Sequence, residues 1–211
     1  MNGNNNKLII AFGKGRLFKE SINSFNLTTG NNYNEFASSK IPIYDDIQKN
    51  LTCLSIRNED LTWMLQKKYT NAAIGSSLWF LNESDYTLKK AITLKTKTYR
   101  LALISRKGVE INSIKKIATR FVNITNSYFK DREQEVEVIK MNGSHEIALS
   151  IEMADAIVDV VETGETIRKM GLHQLDLLHD LHHGVWLRDD KDYESNLNKV
   201  KSLVMAEHIL E

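Results

Sequence analysis

Hydrophobic residues occur in short runs that alternate with glycine-containing turns and helical stripes. The continuous apolar segment 8–12 predicts a strand buried on both faces. Residues 13–16 interrupt it with two glycines, and Phe18, Ile22 and Phe25 then recur at a helical spacing. A strand, a glycine turn and a helix in this order are typical of an α/β unit.

The second half of the chain repeats this order, with a buried strand at 156–161, a turn at 162–166 and a helix at 167–170. Residues 30–50 are rich in Asn, Ser and Asp and predict short edge strands and loops. Further strands are predicted at 52–56, 71–74, 91–94, 100–104, 117–119, 136–139, 172–178 and 185–187, and further helices at 59–68, 123–129 and 197–204 and after the turn 142–144. The alternation predicts an α/β fold with mixed sheets.

Composition narrows the functional classes. The 211 residues suffice for one or two domains. A net charge of +1 gives no reason to expect binding to nucleic acid or to an anionic membrane. A single cysteine, Cys53, excludes a disulfide framework and a cysteine-based zinc site within one chain. No apolar run approaches the roughly 18 residues of a membrane span, and the polar residues 1–6 do not resemble a secretory signal. We therefore expect a cytoplasmic protein.

The turn 162–166, Glu-Thr-Gly-Glu-Thr, is the strongest candidate site in the sequence. Gly164 allows the backbone to approach an anion closely, and N–H groups at the start of the following helix would point at it. Thr163 and Thr166 add hydroxyl donors. Asp159 and Glu162 suit the hydroxyls of a ribose, or a magnesium ion, beside such a phosphate. A plain strand–turn–helix junction with a threonine cap explains the same segment equally well.

Other candidates are weaker. The basic glycine turn 13–16 suits a polyphosphate, although alone it is better explained as an exposed turn, and 140–146 forms a third glycine turn after a strand. Within an apolar strand, Cys53 is expected to be a buried structural thiol. His145 is expected to be a local structural residue rather than a base. The group His179, His182 and His183 is expected to lie in a solvated loop rather than to bind a metal.

Five segments taken together carry a resemblance to one enzyme family: 13–17 (GKGRL), 57–62 (RNEDLT), 117–129 (IATRFVNITNSYF), 140–146 (KMNGSHE) and 154–172 (ADAIVDVVETGETIRKMGL). In their order and spacing, from about residue 7 to residue 187, the chain resembles the short form of ATP phosphoribosyltransferase, the first enzyme of histidine biosynthesis. The resemblance implies a two-lobed fold like that of type II periplasmic binding proteins, with a central cleft. Residues 1–91 and 179–211 would form the ATP-side lobe, and 92–178 the inserted lobe with the phosphoribosyl-phosphate loop.

The resemblance also implies a reaction, in which N1 of ATP is joined to phosphoribosyl pyrophosphate with release of pyrophosphate. Mg²⁺ would arrive with the substrates, without a metal site of the protein's own. Homodimers and a regulatory subunit related to histidyl-tRNA synthetase are the implied partners. The implied catalytic cations are Lys14, Arg16 and Arg57. The implied substrate-binding residues are Glu146, Asp155 or Asp159 with Glu162 at the ribose, and Thr163, Gly164, Glu165 and Thr166 at the 5′-phosphate.

The chain departs from the family at several positions. Residues 71–78 (NAAIGSSL) stand where the family carries a loop with acidic residues, glycines and a lysine. Residues 71–78 of this chain are expected to approach the ATP side of the cleft. In the family, proline stands at the position of Gly13 and valine at that of His145. These departures leave an alternative open: a non-catalytic or altered-acceptor paralogue that binds phosphoribosyl pyrophosphate as a regulatory module.

Overall fold

Two long strands, β5 (Leu88–Arg106) and β9 (Leu172–Arg188), carry the chain out of one α/β unit and back into it. In the computed structural model, which describes residues 7–15, 17–23, 33–83, 87–204 and 209–210, the chain divides into two compact units. Unit 1 comprises Met1–Lys97 and His182–Glu211, and unit 2 comprises Thr98–Leu181. Strands and helices alternate in both units, so the predicted α/β class is confirmed.

Unit 1 is built on strands in the order β2 (Ile43–Asp46), β3 (Leu51–Arg57), β1 (Leu8–Lys14), β4 (Ala72–Ser76) and β9. Strand β1 runs parallel to β3 and to β4, whereas β2 and β9 are antiparallel to their neighbours. Ile10 and Phe12 of β1 pack on one face and Ala11 on the other, which explains the continuous apolar run. The elements are β1 (Leu8–Lys14), α1 (Phe18–Asn23), α2 (Tyr33–Ser38), β2 (Ile43–Asp46), β3 (Leu51–Arg57), α3 (Leu61–Gln66), β4 (Ala72–Ser76), α4 (Ser77–Glu83), α8 (Tyr193–Lys201) and β10 (Ile209–Leu210).

Unit 2 is built on strands in the order β9, β5, β8 (Ala156–Val161), β6 (Lys116–Thr119) and β7 (Glu137–Lys140). Strand β6 is parallel to both β7 and β8, and β5 is antiparallel to β8. Its buried core includes Ala102, Ile104, Leu149, Ile157 and Leu172. The elements not yet given are β6 (Lys116–Thr119), α5 (Val122–Lys130), β7 (Glu137–Lys140), α6 (Glu146–Ser150), β8 (Ala156–Val161) and α7 (Glu165–Lys169).

Three sequence-based predictions of secondary structure are wrong. The strands predicted at 91–94 and 100–104 are one strand, β5, because its polar middle remains strand with exposed side chains. For the same reason the segments 172–178 and 185–187 are one strand, β9, so the three histidines expected in a solvated loop lie on a strand. Helix α2 replaces part of the predicted loops at 30–50, with Tyr33 and Phe36 buried one turn apart.

Two further predictions concern burial and membranes. Cys53 is fully buried, and burial raises the pKa of its thiol to about 12, so the predicted structural thiol is confirmed. Among the residues that the structure describes, no helix is long and apolar enough to cross a membrane.

Candidate functional site

The loops at one edge of the unit 2 sheet contain most of the predicted substrate-binding residues. Thr119 of β6 is level with Lys140 of β7 and with Val158 of β8, and all three strands are parallel. Their carboxyl ends therefore meet at one edge, the usual location of ligand sites in open α/β sheets. The segments that follow the three strands there are Arg120, the turn 141–145 and the turn 162–164.

The turn after β8 has a backbone that favours glycine. Gly164 has φ 70° and ψ 10°, in the left-handed region, and it precedes α7 directly. The hydroxyl oxygen of Thr163 accepts the N–H of Glu165 at 3.3 Å, so its own hydrogen is left to donate elsewhere. Arg168 donates through Nη1 to the carbonyl of Thr163 at 3.1 Å and lies 3.3 Å from the place of a Gly164 Cβ. Because α7 has only five residues, an anion here would depend on these local N–H and hydroxyl groups more than on a helix dipole.

A buried histidine lies beside this turn. His145 is 2% exposed, and its Nδ1 lies 2.8 Å from Oδ2 of Asp159 on β8. Its Nε2 lies 3.2 Å from the carbonyl oxygen of Met141. Burial alone would lower the pKa of His145, but the hydrogen bond and charge of Asp159, helped by Met141, outweigh burial and raise it. The expected structural role of His145 fits this pairing, and its partner Asp159 is a residue that the sequence assigned to substrate.

Asp155 lies at the other end of β8 from this turn. Its Oδ2 accepts the backbone N–H groups of Lys115, just before β6, and of Lys116, the first residue of β6, each at 2.9 Å. The hydrogen bond from Lys115 is the main reason why the pKa of Asp155 is lowered. The structure therefore separates Asp155 from Thr163, and of the two aspartates considered for the ribose beside Glu162, only Asp159 lies near the carboxyl edge.

The remaining predicted residues of unit 2 lie around the same edge. Glu146 is the first residue of α6, directly after His145, and it is partly buried. Glu162 and Thr163 are exposed between β8 and α7, and Glu165 and Thr166 are exposed in the first turn of α7. Two further cations at this edge, Arg120 and Arg168, were not among the residues predicted from the sequence. In the sequence, Arg120 directly follows the parallel strand β6, and Arg168 lies one helical turn beyond Gly164.

In unit 1, two of the three predicted cations lie at the carboxyl edge of their own sheet. Lys14 ends β1 and Arg57 ends β3, and the two residues are paired in register on parallel strands. Both are exposed, whereas Arg16 lies outside the described residues. Asn58 donates through Nδ2 to the carbonyl of Lys14 at 2.6 Å. The edge therefore presents two neighbouring cations on rigid strands.

The divergent segment 71–78 is only partly at that edge. Asn71 precedes β4, where its Oδ1 accepts the N–H of Ile9 at 2.7 Å near the amino end of β1. Ile10 is paired with Ala72, so Ser76 rather than Asn71 reaches the level of Lys14. Asn71 therefore lies away from the level of Lys14, and its side chain joins the amino ends of β1 and β4.

Three comparisons with known proteins bear on this arrangement. A family model described as HisG, ATP phosphoribosyltransferase, matches residues 57–206. The ATP phosphoribosyltransferase of Bacillus velezensis is 31% identical over 175 residues, covering 82% of each chain.

Solved structures agree on the fold. The ATP phosphoribosyl transferase (HisG:HisZ) complex from Thermotoga maritima superposes with a TM-score of 0.77 at 25% identity, over 92% of this chain and 94% of that one. A histidine kinase sensor domain with similarity to periplasmic binding proteins gives 0.52 at 12% identity, over 93% of this chain and 88% of that one, and this likeness concerns the fold alone. The predicted periplasmic-binding-protein-like fold is confirmed.

Proposed function

The chain belongs to the ATP phosphoribosyltransferase family, and from that premise we propose how its residues share the two substrates of the reaction. The reaction is the first step of histidine biosynthesis. Adenine N1 of ATP attacks the anomeric carbon of phosphoribosyl pyrophosphate, a carbon–nitrogen bond forms, and the carbon–oxygen bond to pyrophosphate breaks. The nucleophile belongs to the substrate, so the chain needs no serine or cysteine nucleophile.

We propose that the turn 162–166 holds the 5′-phosphate of the sugar donor. Gly164 adopts a left-handed backbone that a side chain would strain, and a Cβ there would lie 3.3 Å from Nη1 of Arg168, where the phosphate is proposed to bind. The Thr163 hydroxyl keeps its hydrogen for donation because it already accepts from Glu165. Arg168 adds a positive charge against the same turn. Each charge-assisted hydrogen bond of this kind contributes about 1.5–3 kcal/mol.

The ribose would lie over β8 beside this turn. Asp159 is the carboxylate that the geometry favours, because 34% of its side chain is exposed and its position is fixed by His145 and by the N–H of Val160 at 2.7 Å. Ribose hydroxyls would donate to the oxygen lone pairs that these bonds leave available. Asp155 is not part of this proposal because its carboxylate is held by two backbone N–H groups at the opposite end of the strand.

The cations of unit 1 would bind the departing pyrophosphate or the triphosphate of ATP. The transition state is expected to be loose, with positive charge on the sugar and negative charge accumulating on pyrophosphate. Lys14 and Arg57 stand next to one another in register, so their charges would be held in place before the reaction begins. Catalysis would then consist of positioning and of charge stabilisation.

We propose that Mg²⁺ binds together with the substrate phosphates. Within the described ranges, no three His, Cys, Asp or Glu side chains stand together as ligands of a cation. Mg²⁺ usually keeps several waters and binds through one or two carboxylates plus substrate phosphates. Asp159, whose side chain is partly exposed, and Glu162 are the residues that would contribute, and the ion would offset phosphate charge.

A regulatory partner is part of the proposal. The superposition on the Thermotoga maritima structure extends over nearly the whole of both chains, and that structure is a complex of HisG with a second component, HisZ. We propose that this chain is likewise the catalytic subunit of a hetero-oligomer, built on homodimers and completed by a regulatory subunit related to histidyl-tRNA synthetase. Its highly charged substrates do not cross membranes unaided, so the cytoplasm is the proposed compartment.

The test compares two left-handed glycines of unit 2. Gly164 and Gly171 have φ of 70° and 68°, but a Cβ at Gly171 meets nothing within 4 Å. Alanine should therefore strain the backbone to a similar extent at both positions, whereas only at 164 would its Cβ crowd Arg168 and the proposed phosphate. Calorimetric titration should show G164A weakening phosphoribosyl pyrophosphate by roughly ten- to a hundredfold, the equivalent of one lost charge-assisted bond. G171A should remain within about threefold of the wild type. Equal affinities of the two variants would contradict the assignment.

A further inference from the structure

Four side chains that can donate hydrogen bonds form one row across the sheet of unit 1. In strand order they are Arg57 of β3, Lys14 of β1, Ser76 of β4 and His183 of β9. Each lies two or four positions along its strand from a residue of the buried core that α1 helps to form. Those core residues are Cys53, Phe12, Ile74 and Val185. Because side chains alternate between the faces of a strand, the row lies on one face of the sheet. Neighbouring strands are about 4.8 Å apart, so adjacent donors of the row can reach oxygens of one polyphosphate.

The His183 ring has a donor without an acceptor. The ring is 7% exposed, and its Nδ1 lies 2.8 Å from the Ser21 hydroxyl on α1. Burial and, to a smaller extent, the neighbouring His182 lower the pKa of His183 to about 4, so at neutral pH the ring is uncharged and has a single N–H.

The bond to Ser21 decides which nitrogen carries that hydrogen. If the Ser21 hydroxyl donates to Nδ1, the ring hydrogen lies on Nε2. If Nδ1 donates instead, both the serine hydrogen and the Nε2 lone pair are left without partners. The first arrangement leaves fewer buried polar groups unpaired and is therefore favoured. Within the described ranges of the chain, no residue accepts a hydrogen bond from Nε2 of His183.

The Ser76 hydroxyl is a second donor of the same kind. Its oxygen accepts the N–H of Leu78 at 3.4 Å, and none of the residues that the structure describes accepts its hydrogen. Ser76 is partly buried, and the segment 71–78 contains no lysine or arginine. An anion over this part of the edge would therefore meet two neutral donors, next to the positive charges of Lys14 and Arg57.

We propose that His183 and Ser76 bind a substrate phosphate beside the two cations of unit 1, with the Nε2–H group and the serine hydroxyl as donors. The inference rests on the proposed function, which assigns only the cations to this edge. It adds two binding residues and makes Ser21 a positioning residue that fixes the tautomer of the ring. The ligand class is a polyphosphate, which either the triphosphate of ATP or pyrophosphate supplies.

Calorimetric titrations of the full chain with ATP and with pyrophosphate, each in the presence of Mg²⁺, test the proposal. H183L removes the ring donor, H183Q keeps an N–H donor in its side-chain amide, and S76A removes the hydroxyl. The control is H182Q, because the neighbouring histidine lies on the opposite face of β9, where its Nε2 is 3.0 Å from Nζ of Lys90.

H183L is expected to fold because the Ser21 hydroxyl has another acceptor available. The backbone N–H of Ser21 already donates to the carbonyl of Leu17 at 2.8 Å, and a serine hydroxyl in a helix can donate to the same carbonyl. Leucine also leaves no buried polar group on β9.

H183L and S76A should each bind ATP roughly ten- to a hundredfold more weakly than the wild type, the value of one hydrogen bond to a charged group. H183Q should remain within about threefold and H182Q within about twofold of the wild type. A similar loss with pyrophosphate would assign the row to phosphates that both ligands carry, whereas an unchanged affinity for pyrophosphate would assign it to the triphosphate of ATP. Ribose 5-phosphate, whose phosphate is assigned to the turn 162–166, should bind all the variants equally. In the wild type, ¹⁵N shifts should show a neutral ring with its hydrogen on Nε2 at pH 7.

Two results would overturn the inference. Wild-type affinities of H183L or S76A for both ATP and pyrophosphate would show that the replaced donor does not contact a phosphate. Ring shifts that place the hydrogen on Nδ1 would leave Nε2 nothing to donate, and this result would hold even if H183L were unstable. Failure of the wild type to bind ATP, pyrophosphate and ribose 5-phosphate would instead refute the proposed function, and the inference with it.

Discussion

Replacing Gly13 with alanine should destabilise unit 1 through one identifiable clash. A Cβ on Gly13 would lie 2.0 Å from Oδ1 of Asn58 and 2.8 Å from Cδ1 of Leu61, both closer than real Cβ contacts allow. Asn58 cannot move without weakening its 2.6 Å hydrogen bond to Lys14, and Leu61 is fully buried. Overpacking of this kind costs about 1–3 kcal/mol, and the lost hydrogen bond adds about 1 kcal/mol.

A double-mutant cycle with N58A isolates the cause. N58A alone should lose about 1 kcal/mol, because only the bond to Lys14 disappears. In the N58A background, G13A should cost clearly less than it does alone, because only the Leu61 contact remains, so the coupling should exceed about 0.5 kcal/mol. Urea denaturation followed by the fluorescence of the three tryptophans measures all four free energies of unfolding. Identical costs of G13A in both backgrounds, or a cost below about 0.5 kcal/mol in the wild type, would refute the reasoning.

Two further predictions concern acid stability and regulation. Burial lowers the pKa of His183 to about 4, and its Nδ1 lies 2.8 Å from the Ser21 hydroxyl. Because the neutral ring is favoured in the folded state, its contribution to the free energy of unfolding should be fully present above pH 6.5. That contribution should fall by roughly 3 kcal/mol as pH drops toward 4. H183Q should remove most of that acid dependence in urea titrations at successive pH values, and an unchanged slope would contradict the cause. Addition of a histidyl-tRNA-synthetase-like subunit should raise the turnover of the isolated chain, as measured by pyrophosphate release; equal turnover with and without the subunit would count against the regulatory role.

The sequence predicts those parts of the fold whose signal is local. The apolar run of β1 and the strand–turn–helix order around Gly164 reflect burial and turn chemistry within a few residues, and both are present in the structure. The length of β5 and β9 could not be predicted in the same way. Backbone pairing extends through their exposed polar middles, where side-chain hydrophobicity carries no information. Helix α2 could not be predicted because Tyr33 and Phe36 are its two buried hydrophobic side chains and the segment around them is polar.

In the candidate site, too, only the features with a local signal could be predicted from the sequence. Gly164 and its threonines are recognisable from the order of residues, and so are the cations at the ends of β1 and β3. The pairing of His145 with Asp159 joins residues 14 positions apart, and it depends on how α6 starts beside β8. Asp155 and Asp159 cannot be told apart by residue type. Only the strand geometry shows that Asp155 accepts backbone N–H groups at one end of β8 and that Asp159 lies near the carboxyl edge.

Product analysis with both substrates tests the central claim most directly. The purified chain with a histidyl-tRNA-synthetase-like subunit is supplied with ATP, phosphoribosyl pyrophosphate and Mg²⁺, and pyrophosphate and the nucleotide product are quantified by mass spectrometry. Pyrophosphate should form only when both substrates are present, in a one-to-one ratio to a nucleotide that carries the added phosphoribosyl group on adenine N1. Release of pyrophosphate without ATP, or no N1-linked product while the donor is tightly bound, would contradict the claim that this chain joins the two substrates.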